Sequence, residues 1–116
     1  GICYEMRLNR ERLKETGVLV NGLRATGGGA NSAVWLQMKA DILNIPVTAL
    51  NVEEAGATGS AMLVGIALGV YKDLNDASSR MISDKKTYYP RPEVTAKYDV
   101  YYEKYKKLYE SVRPLV

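Results

Sequence analysis

Apolar residues fall into blocks along this chain, and the spacing inside each block predicts a different element. From Ile2 to Thr16, the apolar Ile2, Met6, Leu8 and Leu13 are set among arginines and glutamates, the pattern of a surface helix, and Gly17 supplies a natural stop. Val18-Leu19-Val20 reads either as the start of a strand or as a loop leading to one. Leu23 to Thr26 reads as extended and runs into three consecutive glycines, Gly27, Gly28 and Gly29. A helix is predicted over Ser32–Asn44, with Trp35, Met38, Ile42 and Leu43 as its apolar positions and Trp35 as its core anchor; Pro46 blocks its continuation. Val47 to Leu50 is a short strand rich in β-formers. Ala57 to Tyr71 is helical and apolar nearly all round, which predicts burial on most faces, with Gly56, Gly59, Gly65 and Gly69 permitting close helix–sheet packing. A short helix over Asp76–Ile82 and an extended linker over Lys85–Pro92 follow. The chain ends in a helix over Val94–Val112, with Tyr98, Tyr101, Tyr102, Tyr105, Leu108 and Tyr109 on one broad face.

Strands alternating with helices imply parallel pairing in an α/β layer. Two parallel strands alone make a poor independent sheet. The pattern therefore reads as part of a larger α/β domain whose other strands come from sequence outside this chain. Such a truncation would leave apolar faces of the sheet and of the 57–71 helix uncovered, and self-association through that surface is expected.

Composition narrows the function classes. The 116 residues allow one domain at most, and 47% apolar content is too high for disorder. The absence of histidine removes the commonest general base and metal ligand. One cysteine, Cys3, makes no internal disulfide and no zinc spacing, and fits a reducing, cytoplasmic setting. The formal net charge of +3 lies wholly in residues 84–116, an excess milder than a dedicated nucleic-acid binder shows. The longest uncharged run, Ala55–Tyr71, is rich in Gly, Ala, Ser and Thr, and reads as a buried helix rather than a membrane span. The start at Gly1 shows no signal peptide, and the missing Met reads as a fragment or a processed product.

Three glycines in a row need a physical reason, since each costs roughly 0.5–1 kcal/mol against alanine in regular structure. A tight strand-to-helix turn is one. The other is a backbone that a ligand must approach. Asn31 and Ser32 follow at once, and both are good N-caps. A glycine loop opening a helix N-terminus presents free N–H groups and the positive end of the dipole, which suits a phosphate or ribose. The loop is not a Walker A motif, because no Lys-Ser/Thr pair follows, and Ser32 occupies the position where a dinucleotide fingerprint needs glycine.

These residues resemble the C-terminal end of the FGGY carbohydrate kinases, the xylulokinase-like sugar kinases. Gly27-Gly28-Gly29-Ala30-Asn31-Ser32, Trp35, Gln37 and Ala40-Asp41-Ile42 are similar to that family's adenosine-binding segment, G-G-G-A-x-S-x-x-W-x-Q-x-x-A-D. Ile45-Pro46-Val47 is similar to the strand entry that follows it. Glu54 to Ala61 resembles the helix E-x-x-A-x-G-A-A, Gly1 to Glu5 a signature ending E-G-I-x-Y/F, and the tyrosines of the tail a recurrent C-terminal helix. Thr26 departs from the pattern, since several relatives carry Asp there.

The resemblance implies a partial ribonuclease-H-like, actin-like ATPase C-terminal domain, an α/β fold lacking its first three strands, plus a C-terminal helix. Residues 1–83 would be the C-terminal part of the ATP-binding domain, 84–92 an extended linker and 93–116 the tyrosine-rich helix. It also implies ATP as cofactor with Mg2+ in the parent enzyme, bound through Gly27, Gly28, Gly29 and Ser32. The backbone of Gly28 and Gly29 would lie against ribose and α-phosphate, and Ser32 would bond near the adenosine. The sugar and the catalytic aspartate would belong to an upstream part, so no catalytic residue is expected in this chain, which alone would be inactive; neither Asp41 nor Asp73 is that base. Gln37 reads as a surface or interdomain hydrogen bond, and Glu54 as a carboxylate favoured by a helix N-terminus. No metal ligand, nucleic acid or membrane partner is expected. A stand-alone partner-binding or regulatory α/β module, and a nucleic-acid binder through the basic tail, are the rival readings.

Overall fold

In the computed structural model, which describes residues 1–115, the first helix, α1 (Ile2–Glu15), ends where Gly17 takes φ +89° and returns its N–H to the Lys14 carbonyl. That is the expected glycine stop. Val18 to Val20 form a loop. Next come β1 (Leu23–Ala25), a 3-10 turn over Gly28–Asn31, and α2 (Ala33–Leu43). Ser32 caps α2, its Oγ accepting the Trp35 N–H at 3.3 Å, and Asn44 ends it in the left-handed conformation at φ 52°. β2 (Val47–Leu50), α3 (Ala55–Ala67), α4 (Leu74–Met81), β3 (Asp84–Tyr88) and α5 (Pro92–Val112) complete the order, before a last 3-10 turn over Arg113–Leu115.

Among the described residues the sheet runs β1-β2-β3. β1 and β2 are parallel, with Leu23 opposite Val47 and Ala25 opposite Ala49. The third strand corrects the sequence reading. Within the stretch 84–92, expected as an extended linker, Asp84–Tyr88 pairs antiparallel with β2, Thr87 opposite Thr48 and Tyr88 opposite Val47, and Pro92 already begins α5. Its Asp84-Lys85-Lys86 start conceals the strand from a hydrophobic-pattern reading, and charge of this kind is how sheet edges resist unwanted pairing.

The core lies between α2 and one face of the sheet. Leu36 and Ala40, one helical turn apart, meet Val47 and Ala49, with Leu23, Ala25 and Tyr88 at the margin. Trp35 is not the core anchor expected of it. It is half-buried, because it stands about 100° around the helix from Leu36 and lies against the glycine turn instead. No described element packs on the opposite sheet face, which carries Arg24, Thr48 and Thr87; the two threonine hydroxyls bond each other at 2.8 Å.

α3 overturns the expected burial on most faces. Only Met62 and Gly65 are buried within it, while Leu63 is 61% exposed and Leu68, just beyond, 75%. It packs on α4 and hardly on anything else. Close approach is confined to Gly65, where a Cβ would stand 2.4 Å from the Tyr71 ring; Gly56 and Gly59 face open space. The uncovered apolar surface therefore sits on α3, whereas the open sheet face is polar. The radius of gyration, 17.8 Å, exceeds the ~13 Å of a compact 100-residue domain, in keeping with a helical hairpin that stands off the sheet.

α1 contributes charge to the packing. Arg7 donates to the Ile42 carbonyl at 3.1 Å and Arg10 to the Leu43 carbonyl at 3.0 Å. Both are last-turn carbonyls of α2, where cations are favoured. α5 docks on α1 by placing Tyr98, Tyr102 and Tyr105 around Tyr4, with ring centroids 6.4, 5.9 and 5.5 Å away. Tyr101 and Leu108 are exposed, so this face is narrower than expected; the side chain of Tyr109 lies outside the described residues. No described helix is long and apolar enough to cross a membrane.

Candidate functional site

The three glycines do three different things. Gly27 holds φ +80° with ψ −175°, a conformation closed to residues with a Cβ. Its carbonyl accepts the Ala30 N–H at 2.9 Å, which closes the turn, and Ala30 is buried beneath it. Gly28 is exposed, and a Cβ built there meets nothing within 4 Å. Gly29 is backed by Trp35, whose Cδ1 would lie 3.6 Å from an added Cβ, an ordinary contact. The Lys39 ammonium sits 5.3 Å from the centroid of the same indole. One side of the turn is thus walled by an aromatic ring, and the main chain of Gly27 and Gly28 is bare on the other.

The glycines do not open α2 directly. The 3-10 turn intervenes, so the Ala30 N–H is used internally and the helix begins at Ala33. Ser32 joins the two. It is exposed, and since its Oγ acts as acceptor for the Trp35 N–H, its own hydroxyl proton remains available to a ligand. Gly28, Gly29 and Ser32 therefore lie together on the surface, with Gly27 half-buried beside them.

The feature that sequence reasoning missed lies two and a half turns along the same helix. Asp41 is 0% exposed. Its carboxylate accepts the Arg91 N–H at 2.8 Å, the Arg91 guanidinium at 2.6 Å and the Gln37 amide at 3.0 Å. Gln37 also donates to the Tyr89 carbonyl at 2.8 Å, and the Thr95 hydroxyl donates to the Asp41 carbonyl at 2.9 Å. Burial alone pushes the Asp41 carboxyl upward, but the Arg91 and Gln37 hydrogen bonds outweigh it and hold the group below its ordinary value. A carboxylate so fully engaged is not free to act as a base. The Ala-Asp pair was visible in the sequence; its partner, fifty residues away beside a proline, was not. Asp73 is likewise engaged, capping α4 by accepting the Asp76 N–H at 2.8 Å. Glu54 stands at the N-terminus of α3 without a side-chain cap bond.

Residues 1–68 match the C-terminal domain of the FGGY family of carbohydrate kinases. The chain belongs to that family. Its mixed α/β fold is that of the FGGY C-terminal domain, an actin-like ATPase fold. It is 32% identical to xylulose kinase of Bacillus subtilis (strain 168) over 115 residues, 99% of this chain and 23% of that protein. It is 42% identical to glycerol kinase of Lactococcus lactis subsp. lactis (strain IL1403) over 77 residues, 66% of this chain and 16% of that protein. Among solved structures, xylulose kinase from Rhodospirillum rubrum superposes with a TM-score of 0.80 at 26% identity, covering 98% of this chain and 23% of that one. The chain thus spans about a quarter of the length of the FGGY relatives it matches.

Among the described residues no group of three or more Cys, Asp or Glu side chains is gathered to hold a metal. A Cβ added at Gly28 would project into open space, so the main chain of the turn is accessible there.

Proposed function

We propose that this chain is the ATP-binding C-terminal portion of a carbohydrate kinase that transfers the ATP γ-phosphoryl group to a hydroxyl of a xylulose-type or related sugar. The observation that carries the reading is the bare, glycine-built turn at Gly27–Gly29 in a chain of the FGGY family. Gly28 and Gly29 lie against ribose and α-phosphate, and the Ser32 hydroxyl donates near the adenosine. In the reaction the bond from the γ-phosphorus to ADP breaks and a bond to the sugar oxygen forms. The hydroxyl proton passes to a carboxylate outside this chain, and magnesium supplies charge neutralisation at the phosphates. Such catalysis is mostly positioning and electrostatic stabilisation, and the share supplied here is positioning.

The test is calorimetric titration of the full-length protein with magnesium and the β,γ-imido analogue of ATP. Saturable binding with a Kd between about 1 μM and 1 mM is expected, the usual span for enzyme substrates. No binding at millimolar analogue would overturn the assignment. The isolated chain is expected to transfer no phosphoryl group to xylulose.

We also propose that the isolated chain self-associates through the apolar surface of α3 and the segment that leads from it into α4, where Leu63, Val64, Leu68, Val70 and Leu74 are all exposed. Sedimentation velocity should show dimers or larger species whose fraction rises with concentration. A monomer at every concentration, with no binding of a hydrophobic dye, would contradict this.

A further inference from the structure

We infer that residues 89–95 form a strap that positions α2, and through it the glycine turn, so that Asp41, Arg91 and Gln37 are positioning residues for the nucleotide. The inference rests on the nucleotide reading given above. Three observations carry it.

The strap grips α2 by charge and by direction rather than by apolar contact alone. Two guanidinium nitrogens and the backbone N–H of Arg91 all end on the Asp41 carboxylate, at 2.6–3.4 Å. The Thr95 hydroxyl holds the backbone of the same residue. A bidentate guanidinium–carboxylate fork fixes orientation as well as distance. Second, the grip reaches toward the turn. Gln37 uses both amide hydrogens, one on Asp41 and one on the Tyr89 carbonyl, and it stands only four and three residues after Ala33 and Val34, which begin the helix. Third, Arg91 of the strap lines an open depression of about 440 Å³ together with Ala33, Val34 and Gln37 from the first turns of α2. A shift of the strap is therefore felt beside Ser32.

The far end of α2 is held separately, by Arg7 and Arg10 on its last carbonyls. The strap is the remaining polar anchor, and it acts on the half of the helix that leads into the turn. No strap residue needs to touch ATP for this to matter, since a small misplacement of binding groups is enough to weaken a complex by an order of magnitude.

The full-length protein carrying Arg91→Gln is expected to bind the β,γ-imido ATP analogue about tenfold more weakly. Arg91→Lys, which can still reach Asp41, should recover most of that loss. Thr95→Val, a swap of near-equal volume, should weaken binding about threefold and serves if Arg91→Gln does not fold. Amide exchange over Gly28–Trp35 should quicken in both weakened variants. A purely structural strap would lower the thermal midpoint while leaving the Kd of the folded protein unchanged. A Kd within twofold of the parent in Arg91→Gln and Thr95→Val, both folded, therefore overturns the inference. Gly28→Val separates the two levels. If it weakens binding while the strap variants do not, the strap alone is wrong; if it too changes nothing, the nucleotide reading is wrong.

Discussion

Gly28→Val in the full-length protein is expected to weaken ATP binding about 100-fold, equivalent to about 2.7 kcal/mol, with little change in thermal midpoint. The combination follows from the geometry of the turn. An added side chain at Gly28 meets nothing within 4 Å, so the free protein accommodates it. The space it enters is the space over the bare main chain, where ribose and α-phosphate lie in the proposed complex. The neighbouring glycines supply the controls. Gly27→Val must hold φ +80°, a strain of about 1–3 kcal/mol, and should lose stability together with ATP binding. Gly29→Ala places its methyl against Trp35 at ordinary contact distance and should change the Kd no more than about threefold. Calorimetry and thermal melting on the three variants give a pattern that a simple turn cannot produce. If Gly28→Val leaves the Kd within twofold, the glycines serve only to make the chain bend.

The contrast among these glycines explains why part of the site was legible before the structure and part was not. Local signals behaved locally. Gly17, Ser32, Asn44 and Pro46 mark boundaries through their own backbone or capping chemistry; α1 and α2 end, and β2 begins, where those residues require. The exposed turn was likewise readable, because consecutive glycines have few other uses. What failed were inferences that needed a partner in space. β3 was concealed by Asp84, Lys85 and Lys86, whose charge suits an edge strand yet reads as a linker. Trp35 was assigned to the core by its size, although Leu36 and Ala40 hold the register that faces the sheet. Nothing in the sequence assigned Arg7 and Arg10 a partner, yet both cap the carbonyls that end α2.

α3 failed for a different reason. An apolar helix must be covered by something, and here the described chain covers only Met62 and Gly65. The apolar pattern is present without the burial inferred from it, in a chain that represents 23% of the length of the xylulose kinase it matches. The Asp41–Arg91 pair is the more instructive miss. A buried carboxylate demands a donor, but nothing in the sequence alone marks Asp41 as buried. Finding it required β3 to turn Arg91 back over α2.

Tyr102→Ala is the substitution expected to cost the fold most. Tyr102 is the largest fully buried side chain among the described residues. Its ring stacks against Tyr4 with centroids 5.9 Å apart, the Arg7 guanidinium lies 4.2 Å above it, and its hydroxyl donates to Glu11 at 2.6 Å. Removing a buried aromatic ring costs about 3–5 kcal/mol, against a total of about 5–15 kcal/mol for an ordinary domain. The isolated chain should therefore lose its cooperative thermal transition, or melt at least ~12 °C lower. The contact also makes α5 sensitive to alkali. Burial first, then the bond to Glu11, raise the Tyr102 phenol well above its ordinary value; burial does the same for Tyr4, and the Glu5 hydrogen bond for Tyr105. Each stays neutral in the folded chain at a pH where an unfolded tyrosine, with a pKa near 10, has begun to ionise. Stability from these groups is complete below about pH 10 and drains away as pH rises beyond it, because only the unfolded chain readily releases the protons. The thermal midpoint should be flat from about pH 7 to 9 and fall above about pH 10. The fall should be shallower in Tyr102→Phe, which keeps the ring and has no proton to lose. An equally steep fall in that variant would mean that alkali acts elsewhere. Because α5 begins in the strap that holds Asp41, its release would also free Thr95 from α2, so the loss of helix docking and the loss of nucleotide affinity should occur together in the full-length protein.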